Sequence, residues 1–448
     1  MLSLPSAAEF LFLSLSVAFT QPTFQRVVPL LVGAILAMGR RTVTSILWTM
    51  RGIVHGHPST YHRVFSRAPW SLWPLGRLLA SAVLRLIPEE EPVLVPMDDT
   101  TAQHRGKKVH GKGCHHDAVR SSRSHIVSRW GHRWVVLAIS VKLPFTGRRW
   151  ALPVLAALYR PKELNQAEGR RHKTAPLLAR QLMAVLIHWF PQRTFIFLGD
   201  GGYASHELAR FCHRHRRHAT LVSRFHADAN LYEDPPQVQA PTGRPRKKGR
   251  KLPSPQTTVA RSPSHRAVVR GYGGGNRRVE LVSQTAQWYN AGHGLVPIRW
   301  VFTHPLQGKR QDDYFYTTDP ALPPVQIITW FTARWPIETT FQEVREHLGF
   351  ETPRQRVAKS VLRTAPCLLG LFSLISLVFV EHARHHPVRP RCTRWYAKKE
   401  LTFSDALATV RRLFWSETVF ETSSQHEAFE KLPRPLRRLL LDRLSMAA

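Results

Sequence analysis

The chain has 448 residues, 43% hydrophobic and 10% aromatic, which is enough to bury a core and excludes a wholly disordered basic tail. It carries 64 Lys and Arg against 30 Asp and Glu, a formal charge of +34 with the histidines neutral. Self-repulsion on that scale opposes a compact chain unless a polyanion compensates it, so nucleic acid or an acidic membrane surface is the expected partner.

At ~100–200 residues per domain the length predicts two or three units. Cys114, Cys212, Cys367 and Cys392 are far apart with no Cys-x-x-Cys pair, so neither a disulfide framework nor a thiolate zinc site is expected, and a reducing cytoplasm fits. The apolar residues 10–19 lack a basic segment ahead of them and carry Glu9 at their edge. They predict a buried helix rather than a signal peptide.

Residues 24–70 have helical periodicity: Val43, Ile46, Leu47 and Met50 fall at i, i+3, i+4 and i+7, Gly52 stops the run, and Ser59 is the expected cap of a shorter helix through Phe65. This is a candidate helix-turn-helix, with a helical pair that only packs on the main domain as the alternative. Arg40, Arg41, Arg51, His57, His62, Arg63 and Arg67 suit phosphate contact on an exposed face.

After Glu89, Glu90 and Glu91, residues 93–97 read as a strand that ends on Asp98-Asp99-Thr100. His110, Cys114, His115, His116 and Asp117 crowd together without a second half at zinc-site spacing, and read as a basic loop near the same edge. Two strands follow at 134–143 and 150–159, then a helix from Pro176, a strand at 194–198 ending in Gly199-Asp200-Gly201-Gly202, a helix over about 204–217 and a strand at 219–223. That is the element order of an RNase H-like α/β core. Residues 224–318 change to a β-rich texture with no helix signal, and helical periodicity returns near Pro324, broken by Pro387 and Pro390. The uncharged run 365–380 is shorter than the ~20 residues a membrane span needs, so it predicts a buried helix and no membrane. The resulting division is a helical DNA-binding region at 1–88, a core at 89–223, a β-rich insertion at 224–320, the catalytic-helix part of the core at 321–382, and a helical region at 383–448.

Three acids stand out by position. Asp98 or Asp99 and Asp200 close neighbouring strands, and Glu338 opens a helix after the insertion. Carboxylates at adjacent strand ends converge on one edge of an open α/β sheet. Oxygen donors of this kind suit hard divalent ions, and two such ions about 3.5–4 Å apart assist cleavage and joining of phosphodiesters. Arg334 lies four residues before Glu338 and Arg345 seven after, which predicts a helix with a carboxylate between two phosphate-binding cations and with Ile337, Phe341, Val344 and Leu348 packed on the sheet. A dinucleotide fingerprint fits Gly199-x-Gly201-x-x-Ala204 formally, but it explains neither the charge nor the Arg-Glu-Arg segment.

The segment Phe331-x2-Arg334-x3-Glu338-x6-Arg345 resembles the Tyr-x2-Arg-x3-Glu-x6-Lys signature of the DDE transposases of bacterial insertion sequences, in the branch with a β-strand insertion between the second Asp and the Glu. Residues 195–203 resemble that family's second Asp motif, and Met97-Asp98-Asp99-Thr100-Thr101 its first. The resemblance covers about residues 90–380. It implies an RNase H-like (retroviral-integrase-like) catalytic core with a β-rich insertion, flanked by helical N- and C-terminal regions. It also implies two Mg²⁺ or Mn²⁺ ions on Asp98 (or Asp99), Asp200 and Glu338, and phosphate contacts from Arg334 and Arg345. The partners implied are double-stranded DNA, as element terminal inverted repeats and as target, and a second copy of the chain in a homodimer that pairs the two ends. The activity implied is metal-dependent hydrolysis at the element ends followed by 3′-OH strand transfer, at the bacterial nucleoid. The alternative is a catalytically decayed relative that only binds DNA.

Three departures accompany the match: Phe331 lacks the hydroxyl of the Tyr, Arg345 replaces a point cation with a planar fork, and Pro336 favours the first turn of a helix but kinks a longer one. In the insertion, Arg244, Arg246, Lys247, Lys248 and Arg250 form a basic loop whose Gly-Arg-Pro core resembles an AT-hook suited to a narrow minor groove, with non-specific backbone binding as the alternative. Trp300 occupies a strand position at which some relatives carry a Trp that stacks on a flipped base; core packing is the alternative role.

Overall fold

The computed structural model describes residues 2–116, 121–122, 124–236, 246–271, 275–306, 311–392, 394–421 and 426–446. Five helices come first: α1 (Ser6–Ser14), α2 (Gln21–Leu36), α3 (Val43–Thr49), α4 (Pro58–Ser66) and α5 (Leu72–Leu84). Phe12 of α1 is fully buried, its ring 5.5 Å from that of Phe414, which accounts for the apolar start of the chain. Gly33 lets α2 and α3 approach closely, since a Cβ there would lie 2.7 Å from the Ile46 side chain. The cap of α4 is His57, not Ser59: Pro58 occupies the first helical position, and His57 Nδ1 accepts from the Ser59 N–H at 3.2 Å. Residues 50–57 separate α3 from α4, longer than the ~3–4-residue turn of a helix-turn-helix. The pair packs instead on α2 and on a long C-terminal helix.

The core strands are β1 (Val93–Gln103), β2 (Gly113–His116), β3 (Ser128–Lys142) and β4 (Arg149–Tyr159). After the short α6 (Lys162–Ala167) and α7 (Ala175–Trp189) come β5 (Phe195–Gly199), α8 (His206–Arg214) and β6 (Ala219–Arg224). β4, β3 and β1 are antiparallel neighbours, while β1, β5 and β6 run parallel. This is an RNase H-like arrangement, assembled as the order of elements led us to expect.

The insertion contains β7 (Leu231–Tyr232), α9 (Pro255–Val259), β8 (His265–Arg270), β9 (Asn276–Asn290), β10 (Gly294–Pro305) and β11 (Asp313–Thr317). Its strands extend the core sheet: β11 pairs antiparallel with β6, and the order runs β3-β1-β5-β6-β11-β10-β9-β7. The helix α9 departs from the helix-free expectation. Ser254 caps it by accepting from the Thr257 N–H, and Pro255 sits at its first turn.

The rest is helical: α10 (Pro324–Thr332), α11 (Pro336–Leu348), α12 (Ala358–His385), α13 (Phe403–Phe414), a π-helical segment Trp415–Phe420, α14 (His426–Glu430) and α15 (Arg434–Leu444). By length and composition α12 is apolar enough to cross a membrane, yet 67% of its most apolar window is buried within the protein, against β4, α5, α1 and α13. Alternation along the strands divides the core. Val93, Val95, Phe195 and Phe197 belong to the large cluster with the helical regions, and Leu94, Ile196 and Leu198 to a smaller one with Phe315, Ile327, Ile328 and Phe331.

Candidate active site

β1 does not stop at the aspartates. Its parallel pairing with β5 ends at Pro96↔Leu198, but its antiparallel pairing with β3 continues from Met97 to Gln103. The strand therefore runs on with one edge free of β5, and Asp98 and Asp99 lie where β5 gives way to Asp200. Extending the β1–β5 register by two residues sets Asp98 beside Asp200.

The two aspartates point to opposite faces, as adjacent strand residues must. Asp98 Oδ2 accepts from Arg334 at 2.6 Å, and the same guanidinium donates to Glu338 Oε1 at 2.5 Å. Asp99 is held on the other side by Arg133, which donates Nε–H to Oδ2 at 2.6 Å and a second N–H to Oδ1 at 2.8 Å. Tyr203 also donates to Asp99, at 3.5 Å. The structure thus brings Asp98 and Glu338 onto Arg334, with Asp200 near enough to act on its charge, and leaves Asp99 in a separate ion pair.

Asp200 sits at the end of β5 as the cap of the turn Gly201–Tyr203, its Oδ1 accepting from the Gly202 N–H at 2.9 Å. Its own carbonyl accepts from Ser223 Oγ at 2.8 Å, which ties it to β6. Glu338 lies in the first turn of α11, where a negative charge suits the helix dipole. That helix is fixed against the sheet by the expected face, since Ile337, Phe341, Val344 and Leu348 are all buried. Thr340 Oγ1 donates to the Ala151 carbonyl of β4 at 2.8 Å. Gly349, with φ of 59°, closes the helix in the left-handed region that favours glycine.

Arg334 is not on the same helix as Glu338. It lies in the break between α10 and α11, because Pro336 starts a new helix rather than kinking a continuous one. Its side chain is only 9% exposed. Burial works against its charge, but Asp98, Glu338 and Asp200 together hold its proton more tightly than usual. Asp98 behaves in the opposite sense: burial pushes its carboxyl up to about 7, Arg334 offsets part of that, and Asp200 and Asp99 add to it.

Such an all-oxygen, negative donor set suits a hard divalent ion. Among the described residues no three His, Cys, Asp or Glu side chains converge closely enough to share one ion, and Arg334 bridges Asp98 and Glu338. The fit is therefore one of donor chemistry and charge.

Other expected contacts fall elsewhere. Arg345 donates to Thr100 Oγ1 of β1 and lies 4.0 Å from Glu351, so it braces α11 against β1. Phe331 is a core residue, its ring 4.5 Å from that of Phe315, so the hydroxyl it lacks has no exposed place to act from. Trp300 is fully buried in β10, and stacking on a flipped base is corrected to core packing. In the basic loop, Lys248 Nζ lies 4.4 Å from the Tyr232 and Tyr289 ring centroids, Arg250 pairs with Glu233 at 2.7 Å, and Arg246 and Lys247 are exposed. Arg244 and the Gly-Arg-Pro core lie outside the described residues. In the N-terminal region Arg51, His62, Arg63 and Arg67 are exposed as expected, whereas Arg41 is buried. Nothing local in the sequence marks Arg133 and Tyr203, which hold Asp99, because their partner lies far away in the chain.

The profile of the DDE superfamily endonucleases matches residues 14–294, more than half of the chain. The chain belongs to the DDE superfamily endonuclease family. The match contains Asp98 and Asp200 and ends before Glu338, which lies beside Arg334. The RNase H-like fold agrees with this match and with the strand order of the core. No curated protein matches the chain. Among solved structures, a piggyBac transposase synaptic complex with hairpin DNA, seen by cryo-EM, is 10% identical, with 98% of this chain and 81% of that one covered and a TM-score of 0.40.

Proposed function

We propose that this DDE superfamily member is a cut-and-paste DNA transposase of an insertion sequence. It would hydrolyse the phosphodiester at each element end and transfer the freed 3′-OH into target DNA. The observation that carries the reading is the gathering of Asp98, Asp200 and Glu338, from a strand, a strand end and a helix, around one buried guanidinium. Asp98, Asp200 and Glu338 would hold two Mg²⁺ or Mn²⁺ ions. Bound there, the ions would supply activation of the attacking oxygen and charge relief on the leaving one.

The chain's own groups do the rest. Arg334 would leave its carboxylate partners for a DNA phosphate, where its planar fork matches two oxygens. Asp99, held by Arg133 and Tyr203, fixes the orientation of β1 beside the reacting centre. Ser223 and the Gly201–Tyr203 turn hold Asp200 at the mouth of the sheet. The exposed cations of the N-terminal helices and of the loop around Lys247 would bind element ends. A second copy would pair them, at the nucleoid. The alternative is a decayed copy that binds ends without cutting, in which Arg334 stays bridging Asp98 and Glu338.

The test is cleavage of a plasmid carrying the gene with its flanking DNA, in Mg²⁺, Ca²⁺ or EDTA. We expect Mg²⁺-dependent cuts at two fixed positions, abolished by Glu338→Gln with DNA binding retained. Cleavage by Glu338→Gln at the rate of the unaltered protein would refute the proposal, and tight binding without any cleavage would establish the decayed alternative.

A further inference from the structure

β1 leads from the carboxylate cluster to a second feature that the proposed cleavage does not use. Gln103 lies five residue steps beyond Asp98, a run of about 16 Å at ~3.3 Å per residue. α11 accompanies it: Arg345 reaches Thr100, and beyond the helix Glu351 accepts from the Gln103 N–H at 3.2 Å. Past Gln103 a cavity of ≈ 960 Å³ opens between residues 104–112 and the start of β3. Arg105, Lys107, Lys108, Lys112 and Arg129 line it, and Trp130 stands at its wall, 60% exposed. The single acid among the described residues there, Glu168, is already paired with Arg160 and Arg170.

The cavity is built, not an accident of a loose loop. The His110 N–H donates to the Arg356 carbonyl at 3.0 Å, Lys112 Nζ donates to the Gly106 carbonyl at 2.6 Å, and buried His132 bonds the His110 carbonyl at 2.8 Å. A Cβ on Gly131 would lie 2.1 Å from the Ala102 carbonyl, so glycine is what lets β3 close on β1 at this point. Lys112 Nζ lies 5.2 Å from the Trp130 ring centroid, which holds a cation beside the indole.

An exposed indole in a basic, concave site matches what an unpaired polynucleotide offers: bases that stack on any aromatic face, and phosphates that need cations. A concave wall fits a chain lying in it better than a flat lipid surface. We propose that this cavity is a second nucleic-acid site, which takes an unpaired stretch of the DNA strand leaving the carboxylate cluster, with a base on Trp130 and the backbone on Arg105, Lys107 and Lys108. The 16 Å run places it within about five nucleotides of the reacting phosphate, the number for a strand stacked at ~3.4 Å per nucleotide, and fewer for an extended unpaired one. The assignment of the strand rests on the DNA-processing function proposed above; the binding property does not.

The experiment is therefore binding in EDTA, where cleavage plays no part. A fluorescent short oligothymidylate and a blunt duplex are titrated by anisotropy with the full chain, with Trp130→Ala, with Trp130→Phe, and with Lys107→Ala/Lys108→Ala. Trp130→Ala should weaken oligothymidylate binding roughly tenfold, the scale of one lost base stack, with Trp130→Phe keeping most of the affinity and the duplex little affected. The double lysine variant should flatten the salt dependence by ~1.4 in log K per log salt if each lysine meets one phosphate. Unchanged oligothymidylate affinity in Trp130→Ala, or an equal loss for duplex, would overturn the site. Failure of plasmid cleavage would leave these binding results standing, so the two proposals fail separately. Matching thermal melts of the variants would show that any loss is local.

Discussion

Asp98 and Asp99 are neighbours in sequence with opposite surroundings, and the difference sets a pH dependence. Burial and the nearby Asp200 and Asp99 outweigh Arg334 at Asp98, raising its carboxyl from 3.8 to about 7. Between these two values the folded protein binds a proton that the unfolded chain has lost, so stability falls as pH rises through that window and the full cost is present above it. That rise corresponds to at most about 4–5 kcal/mol at ~1.4 kcal/mol per pH unit. Asp98→Asn, which keeps an acceptor for Arg334, should raise the melting temperature at pH 8 and leave it nearly unchanged at pH 4; an equal drop at both pH values would refute this. His132 gives the reverse sign. Burial first, then His104, lowers it to about 4, so it is carried neutral and stability is lost as pH falls from 6.5 toward 4. His132→Gln should remove that acid loss in melts between pH 4 and 7. The sequence marked the Asp98-Asp99 pair as the key position but left the choice between them open. The choice depends on which face of β1 meets α10 and α11, and that is fixed by pairing with β3 and β5 rather than by any local residue.

Helices and strands were largely legible, because apolar period and turn residues act locally, while the links between elements were not. α2 ends with its carbonyls taken by two buried arginines: Arg41 donates to Ala34 at 3.2 Å, and Arg411 donates to Ile35 at 2.8 Å and Ala37 at 3.0 Å. A cation suits the negative end of a helix, and these two also tie α2 to α11 and α13, since Arg41 donates onward to the His347 carbonyl at 2.6 Å. Arg363 of α12 does the same for the end of α4, donating to Phe65 at 3.1 Å and Ala68 at 2.9 Å. In the sequence these residues look like the other cations of a DNA-binding protein, and their partners lie up to 376 positions away. Burial without a carboxylate lowers Arg411 to about 9. Arg411→Met should cost about 2–4 kcal/mol, because it leaves buried carbonyls unpaired. The exposed Arg250 offers the control: Arg250→Met should change stability by at most ~0.5 kcal/mol. Urea unfolding of both variants measures the difference, and equal values would show that Arg411 is not a helix tie.

At the scale of the whole chain, the insertion and the core share one sheet, so a boundary that composition draws at residue 224 is crossed by the β6–β11 ladder. Texture could show the change to β structure but not which edge it would join, because edge pairing depends on strands distant in sequence. The same holds for charge. Of the cations behind +34, Arg41, Arg193, Arg363 and Arg411 are buried on carbonyls and Arg334 on carboxylates, while the half-buried Arg133 pairs with Asp99. The remainder are mostly on the surface, far more numerous than the acids available to pair them. Their mutual repulsion is screened by salt, with a Debye length of ~10 Å at 0.1 M that shrinks to ~3 Å at 1 M. The free protein should therefore melt at higher temperature as salt rises from low to moderate concentration, opposite to its DNA affinity, which falls with counterion release. A polyanion such as heparin should raise the melting temperature at low salt through mass action, and this gain should vanish at high salt. Melts across a salt series, with and without heparin, check both trends together. A melting temperature that falls with salt would mean that the surface ion pairs, such as Arg250 with Glu233, outweigh repulsion, and that the chain's charge is balanced within the fold rather than by a partner.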